Sequence, residues 1–327
     1  MKERVLITGA SGFIGYHLIK EALANNLEVY AAVRKSSKTD HLKDLDIKYT
    51  YPDFTDPDAL KKEIVENAYT YIIHAAGVTT ARSQKEYDDI NAGYTHNLAS
   101  AASEIAPLKK FVLIASLAGL GPLNNLNGVI VEDTPPHPVT AYGRSKLLAE
   151  ETLRKFSSLN YTILRPTGVY GPRDRDIFIF FQQVARGIEP YIGRADQNFS
   201  FLYVTDLAKA AIKALSHGDG ETFNLSDGKS YDRYQLAKHI KQVLNRKTVK
   251  FHLPVNFVKS IAYLSEKYCS LSNKAATLNV EKLNELMAVN WFCDIEKART
   301  GLGFHPEYDL QAGVAETVKW YKSNKWL

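Results

Sequence analysis

The sequence predicts an α/β fold, a doubly wound parallel sheet with a smaller, mainly helical lobe. Three observations predict it. Short apolar runs alternate with longer amphipathic stretches through the first half of the chain. A glycine-rich turn joins the first apolar run to the first amphipathic stretch. The alternation then stops after Gly171-Pro172, and helical periodicity dominates the rest.

The strand candidates are Val5-Leu6-Ile7, Val29 to Val33, Ile47 to Tyr51, Tyr71 to Ala75, Phe111 to Ala115 and Tyr161 to Leu164. Between them, Phe13 to Ala24, Asp58 to Glu66, Tyr87 to Glu104 and Ala141 to Phe156 place apolar residues at helical spacing. Apolar strands separated by helices call for a parallel sheet covered on both faces. Right-handed crossovers make that sheet doubly wound, with ligands at the C-terminal strand ends. From Pro172 to about Gln197 the reading is mostly helical, with a turn at Gly187-Ile188-Glu189-Pro190. Phe201 to Val204 and Asp206 to Leu215 add one strand and one helix. Residues 226–327 read mainly as helices, broken at Pro254 and Gly301–Gly303. The expected division is a sheet domain of residues 1–171 plus about 201–225. About 172–200 and 226–327 then form a lobe that closes over a substrate.

The 327 residues are 45% hydrophobic, enough for a sizeable core. Net charge is +5, but no basic run of five interrupts the sequence, so no nucleic-acid partner is expected. Cys269 and Cys293 form neither a CxxC nor a metal spacing; they read as reduced thiols, and no metal site is expected. No apolar run approaches the roughly 18 residues of a membrane helix. A cytoplasmic protein without stable membrane insertion is the expectation.

Thr8-Gly9-Ala10-Ser11-Gly12-Phe13-Ile14-Gly15 spaces its glycines as GxxGxxG. A turn without Cβ atoms lets backbone approach a pyrophosphate, and a helix N-terminus supplies unpaired N–H groups and a positive dipole end. Gly9, Ser11, Gly12, Phe13, Ile14 and Gly15 are therefore read as a dinucleotide cradle. A carboxylate that binds the ribose 2′-hydroxyl should end the second strand. Here Arg34 and Lys35 stand at that end, and Glu28 lies too early. Arg34 can pair with a 2′-phosphate, so NADP(H) is favoured over NAD(H).

With these motifs in order, the chain resembles the extended short-chain dehydrogenase/reductases, a group that includes NAD-dependent epimerases and dehydratases. The resemblance also rests on Asp53-Phe54, His74-Ala75-Ala76-Gly77, Asn91, Ser116, Tyr142-Gly143-Arg144-Ser145-Lys146, Arg165-Pro166, Val169-Tyr170-Gly171-Pro172 and Tyr203-Val204-Thr205-Asp206. It implies a Rossmann domain whose Asp53 and Phe54 bracket an adenine and whose Ala75, Ala76 and Gly77 lie along the cofactor. Pro166, Val169, Tyr142 and Lys146 complete the implied cofactor contacts. A homodimer through the helices containing residues 87–104 and 141–156 is a further implication.

Residues four apart share a helix face, so Tyr142 and Lys146 are expected to meet. An ammonium beside a phenol favours phenolate and lowers its pKa from about 10. Tyr142 would then exchange a proton with a substrate alcohol or carbonyl, with Ser116 positioning the same oxygen. Hydride chemistry belongs to the nicotinamide. Of the other polar candidates, His74 is read as packed or bonded at a strand end, Arg82 as solvated surface and Asp206 as the cap of its own helix. Asn91 is read either as a backbone anchor near Lys146, by resemblance, or as an exposed helix residue.

Three features favour a reductase or dehydrogenase of a small, relatively apolar carbonyl or secondary alcohol: Arg34, Arg165-Pro166-Thr167-Gly168, which lacks the Asn that by resemblance sugar-nucleotide enzymes tend to carry after this strand, and Asn198-Phe199-Ser200-Phe201. The last stands where, by resemblance, sugar-nucleotide enzymes often show an Arg-Asp-Phe. Closest in flavour are the dihydroflavonol-reductase-like and 3β-hydroxysteroid-dehydrogenase-like members. A nucleotide-sugar epimerase or dehydratase with tightly held NAD is the first alternative, and a non-catalytic dinucleotide sensor the second. Specificity is expected from residues 78–86, 117–140, 173–200 and 251–290. Within the last, Phe257, Ile261, Leu264 and Tyr268 form an apolar stripe that reads as core rather than membrane contact.

Overall fold

The computed structural model describes residues 2–105, 108–271 and 279–327, so 272–278 of the expected specificity segment lie outside the described residues. Seven strands form the central sheet: β1 (Arg4–Thr8), β2 (Glu28–Ala32), β3 (Ile47–Thr50), β4 (Tyr71–His74), β5 (Lys110–Ile114), β6 (Tyr161–Pro166) and β7 (Thr222–Leu225). Their order is β7-β6-β5-β4-β1-β2-β3, and every pairing is parallel. This is the expected doubly wound Rossmann-like sheet. Its direction of winding reverses between β1 and β4, where Ile7 stands beside Ile73 and Thr8 beside His74.

Strand periodicity divides the core into two layers. Val5, Ile7, Val29, Ala31, Ile73, Val112 and Leu164 point to one face, covered by α1 (Phe13–Ala24) and by the helix Val204–Lys213. Leu6, Tyr30, Ile72, Phe111, Leu113 and Ile163 point to the other, covered by α2 (Pro57–Asn67), α3 (Tyr94–Ser103) and α4 (Ala141–Leu153). Asp56 caps α2 and Thr140 caps α4, each accepting from backbone N–H groups of its first turn.

The helix expected over Tyr87 to Glu104 starts earlier and is not uniform. An α turn at Gln84–Tyr87 passes into a π stretch, Asp88–Gly93, and then into α3. Widened turns of this kind recur at functional sites. The one here carries the buried Asn91.

Three further expectations are corrected. The strand expected at Phe201 to Val204 exists as Phe201–Tyr203, but it pairs with Gly168–Tyr170 away from the main sheet. The seventh sheet strand is instead Thr222–Leu225, whose apolar run is broken by a buried Asn224 and so carries little strand signal. The segment Ile188–Ile192, read as turn and helix, is a strand paired in parallel with Val249–Leu253. Gly187, at φ +88°, makes the bend before it. Pro190 is tolerated because the ribbon has only two strands. Finally, the apolar stripe on the helix Val255–Leu271 faces solvent rather than core.

A further apolar cluster packs Tyr170, Phe181, Tyr203, Ile240, Val314 and Tyr321 together. It draws on the helices Phe178–Ala185, Gln235–Leu244 and Leu310–Ser323. Asp206 ties the helix Val204–Lys213 to the segment at Glu307 and Tyr308. It does not cap its own helix, as expected; its Oδ2 accepts from the backbone N–H of Glu307 and Tyr308, each at 3.1 Å.

Beneath α4, Glu150 is fully buried and takes a forked bond from Arg165 of β6, with Nη2 to Oε2 at 2.7 Å and Nε to Oε1 at 2.9 Å. Removing one member of a buried ion pair strands the other charge. We therefore expect Glu150→Gln to lower the unfolding free energy by about 3 kcal/mol in urea titrations.

Two buried histidines give the fold a pH dependence. His17 is depressed to about 4 and His74 to about 3, both mainly by burial. The unfolded chain binds these protons first as pH falls, so their contribution is complete above about pH 6.5 and is lost toward pH 4 and below. Urea unfolding should show about 3 kcal/mol less stability from these groups at pH 5 than at pH 7, and His74→Asn should remove about half of that dependence.

Candidate active site

The site is built where β1 and β4 end side by side. The turn after β1 passes so close to the turn after β4 that a Cβ on Gly9 would lie 2.6 Å from the Ala75 carbonyl oxygen. Gly9 also has φ +68°, which a side chain would strain. A Cβ on Gly15 would meet the Gly9 oxygen at 2.1 Å, so helix α1 can pack against the turn only through a glycine. Gly12 is exposed at the helix N-cap, and α1 has neither a side-chain cap nor an acidic residue in its first turn. Its leading N–H groups and positive dipole end thus remain available to an anion. This uncapped cradle fits a dinucleotide pyrophosphate. Gly9, Ser11, Gly12, Phe13, Ile14 and Gly15 all lie on it.

Thr8 locks the two turns together. Its hydroxyl oxygen accepts from the backbone N–H of Ala75 at 3.1 Å and of Ala76 at 3.0 Å. Its one proton then goes to His74 Nδ1, 2.8 Å away. His74 is therefore neutral and protonated on Nε2, in agreement with its depressed pKa. It bonds at a strand end, as its sequence position suggested. Gly77 follows, exposed, against the Asn91 side chain.

Asn91 is an anchor and not an exposed helix residue. Its Oδ1 accepts from Val78 N–H at 2.8 Å, and its Nδ2 donates to the Val78 carbonyl at 3.1 Å and to Ser145 Oγ at 2.9 Å. One amide thereby ties the β4 turn to α4, two positions from Tyr142's neighbour Gly143.

Ser116, Tyr142 and Lys146 converge at the end of β5. Ser116 caps a short 3-10 turn, Leu117–Gly119, through Ala118 N–H, and its hydroxyl lies beside the Tyr142 phenol and favours its ionised form. Lys146 is buried, and its Nζ donates to the Ile114 carbonyl at 2.7 Å. The expected electrostatic coupling of Lys146 to the phenol is not what this geometry gives. Burial pushes Tyr142 up to about 12, opposed by the nearby Ser116 hydroxyl and reinforced by Glu285, Tyr87 and Asp176. Burial also pulls Lys146 down to about 8, with Glu150 opposing. The two side chains share a helix face, but the ammonium is aimed at a backbone carbonyl, so desolvation dominates both groups.

Residues beyond the motifs complete the surroundings of Tyr142. The Tyr87 ring meets it edge-on, with centroids 6.3 Å apart. Arg144 donates from Nε to Gln84 at 2.8 Å and from Nη2 to Glu281 at 2.6 Å. Glu281 also accepts from the Ala141 N–H, at the start of α4. It comes from the helix Val280–Met287, about 140 residues downstream. Nothing in the local sequence marks Gln84 or Glu281; their roles arise only from tertiary packing.

The expected adenine end is more dispersed. Arg34 and Lys35 are exposed just beyond β2, in a turn closed by Arg34 N–H to Ser37 Oγ at 3.1 Å. Glu28 is bound to Arg4 and Lys48 at the opposite end of the strand, beside a surface hollow of about 350 Å³ that lies away from the glycine turn. Asp53 is exposed, and its carboxylate accepts from Thr55 N–H and Oγ, which holds it below the usual carboxylate range. Phe54 stacks on Tyr94 with centroids 5.4 Å apart. Pro166 ends β6, buried, and Val169 is half-buried in the short strand that follows. Arg82 is surface, bridged to Glu86 at 3.0 Å. Among the described residues, no three His, Cys, Asp or Glu side chains are grouped to hold a metal ion.

Residues 5–226 match the model of the NAD dependent epimerase/dehydratase family. The chain is 27% identical to the N-acetyl-alpha-D-glucosaminyl-diphospho-ditrans,octacis-undecaprenol 4-epimerase of Escherichia coli O157:H7, over 98% of this chain and 96% of that protein. It is 26% identical to the decarboxylating sterol-4-alpha-carboxylate 3-dehydrogenase of Saccharomyces cerevisiae, over 97% of each. Its fold matches the crystal structure of UDP-glucose 4-epimerase from Thermotoga maritima with a TM-score of 0.81, at 22% identity, over 98% of this chain and 99% of that one. The chain belongs to the NAD dependent epimerase/dehydratase family and is a nicotinamide-dinucleotide enzyme of the extended short-chain dehydrogenase/reductase type.

Proposed function

We propose that the protein is an NADP(H)-dependent oxidoreductase acting on a carbonyl or secondary alcohol of a small, relatively apolar substrate. The observation that carries the reaction class is the placing of the Ser116 hydroxyl beside the Tyr142 phenol at the C-terminal edge of the sheet, with the buried Lys146 one helical turn on. The dinucleotide, when bound, supplies the hydride donor or acceptor. Tyr142 supplies or removes the proton at the substrate oxygen, and Ser116 orients that oxygen. Lys146 fixes the α4 helix against β5 through the Ile114 carbonyl. In this reading Arg34 and Lys35 receive a 2′-phosphate, while Asp53, Phe54, Ala75, Ala76, Gly77, Pro166 and Val169 line the remaining length of the dinucleotide. Residues about 172–200 and 226–327 form the substrate lobe. A homodimer through the helices around residues 87–104 and 141–156 belongs to the same proposal.

The exposed Arg34-Lys35 pair, with no carboxylate at the end of β2, supports NADP(H). A second reading is favoured by similarity to the Escherichia coli 4-epimerase: oxidation and re-reduction of one sugar with retained NAD. Fluorescence titration separates the two. Arg34→Ala should weaken NADPH at least tenfold and leave NADH almost unchanged, since only the former presents a 2′-phosphate. An unchanged preference removes the basis for NADP(H). Tyr142→Phe should lower kcat by at least about a hundredfold with the affinity for dinucleotide retained.

A further inference from the structure

The segment after Gly171 is fastened to α1 and to the C-terminal helix on both sides of Arg173. His17 of α1 donates from Nε2 to the Pro172 carbonyl at 2.9 Å. The Tyr321 hydroxyl lies 3.4 Å from the Gly171 carbonyl oxygen and 3.2 Å from that of Asp174. The Asp174 carboxylate is itself engaged, accepting from the backbone N–H of Asp176 at 2.9 Å and of Ile177 at 3.1 Å. Between these anchors Arg173 takes φ +78°, a left-handed backbone that a Cβ disfavours. Strain of this kind persists where the surroundings over-determine it, and it gathers at ligand sites.

The strained residue sets its guanidinium over the start of α1. Its central carbon stands 4.5 Å from the centroid of the Tyr16 ring and 5.9 Å from that of Trp320. Helical side chains tilt toward the N-terminus, so the Tyr16 ring covers the turn that begins at Gly12, whose carbonyl takes the Tyr16 N–H at 3.1 Å. Stacking on rings uses the flat face of a guanidinium and leaves its edge of N–H donors for another partner. Further cations gather there. Lys20 Nζ is 6.0 Å from the Tyr16 ring, and the exposed Arg175 stands 5.7 Å from the Trp326 ring. Among the described residues, the charged ends of Lys20, Arg173 and Arg175 have no carboxylate or carbonyl partner. His41, its ring 6.0 Å from Tyr16, is held below its ordinary range by burial and then by Arg173 and Arg175, with the Ser11 carbonyl and Asp40 opposing. The two guanidinium charges therefore reach the glycine turn at Ser11. A helix N-terminus is already positive, so bringing guanidinium groups to it is unfavourable until an anion sits among them. The planar fork of an arginine matches a phosphate.

We propose that Arg173, with Arg175 beside it, pairs with a phosphate of the bound dinucleotide and completes the cradle begun by the glycine turn. The proposal rests on dinucleotide binding alone, and neither on the choice of NADP(H) nor on the direction of hydride transfer. The test is fluorescence titration of the full chain, freed of bound dinucleotide, with NADPH and with NADH. Arg173→Gln should weaken binding at least about fivefold, and Arg173→Gln with Arg175→Gln at least about tenfold. Arg173→Lys should recover part of the loss, since an ammonium keeps the charge but not the fork. The urea midpoint of the dinucleotide-free variants should stay close to that of the parent. Equal losses for the two dinucleotides assign the diphosphate as the partner, and a loss confined to NADPH assigns the 2′-phosphate. Unchanged affinity for both overturns the proposal, and so does a lowered urea midpoint with affinity retained, the signature of a clamp between Tyr16 and Trp320. A protein that binds only NADH would remove the NADP(H) reading and leave this proposal to be judged on NADH.

Discussion

The close approach of two turns at the point where the sheet reverses sets the rest of the molecule. Gly9 lies against the Ala75 carbonyl with no room for a Cβ, and Thr8 bonds Ala75, Ala76 and His74 at once. The position of α1, the exposure of its uncapped N-terminus and the path of the chain after β4 all follow from that contact. It is a backbone constraint, which is why it shows in the sequence as glycines at fixed spacing and a small polar residue before them.

A second layer of organisation is electrostatic and lies under α4. Lys146 is buried with its ammonium on a backbone carbonyl, and one turn further along Glu150 is buried against Arg165. These contacts pin the helix that carries Tyr142 between β5 and β6. At the helix's other end, Arg144, Gln84 and Glu281 bring three separate segments together beside the same tyrosine. The phenol is thus fixed from both directions. Beside its hydroxyl stands Ser116, which opposes the effect of burial.

The parallel sheet, the glycine turn and the shared helix face of Tyr142 and Lys146 were legible in the sequence because each shows in apolar periodicity or local spacing, while Ser116 was reached through the order of the motifs and the family resemblance. What was not legible depends on long-range packing. Thr222–Leu225 is a sheet strand because it pairs in parallel with Ile163–Pro166, a context its four residues do not announce. Ile188–Ile192 pairs with residues 249–253, far along the chain. The i, i+4 spacing placed Tyr142 and Lys146 on one face but could not say that Ile114 would take the lysine's hydrogen bond. Periodicity likewise revealed the stripe at Phe257 to Tyr268, yet cannot tell a face turned inward from one turned outward.

The central claim is that this site exchanges its dinucleotide with solution and selects it at the 2′-position. The most direct measurement is to denature protein purified without added cofactor and identify what is released. The account predicts little bound dinucleotide, and NADP(H) where any is found. Stoichiometric NAD carried through purification would contradict it and would favour a retained-cofactor epimerase.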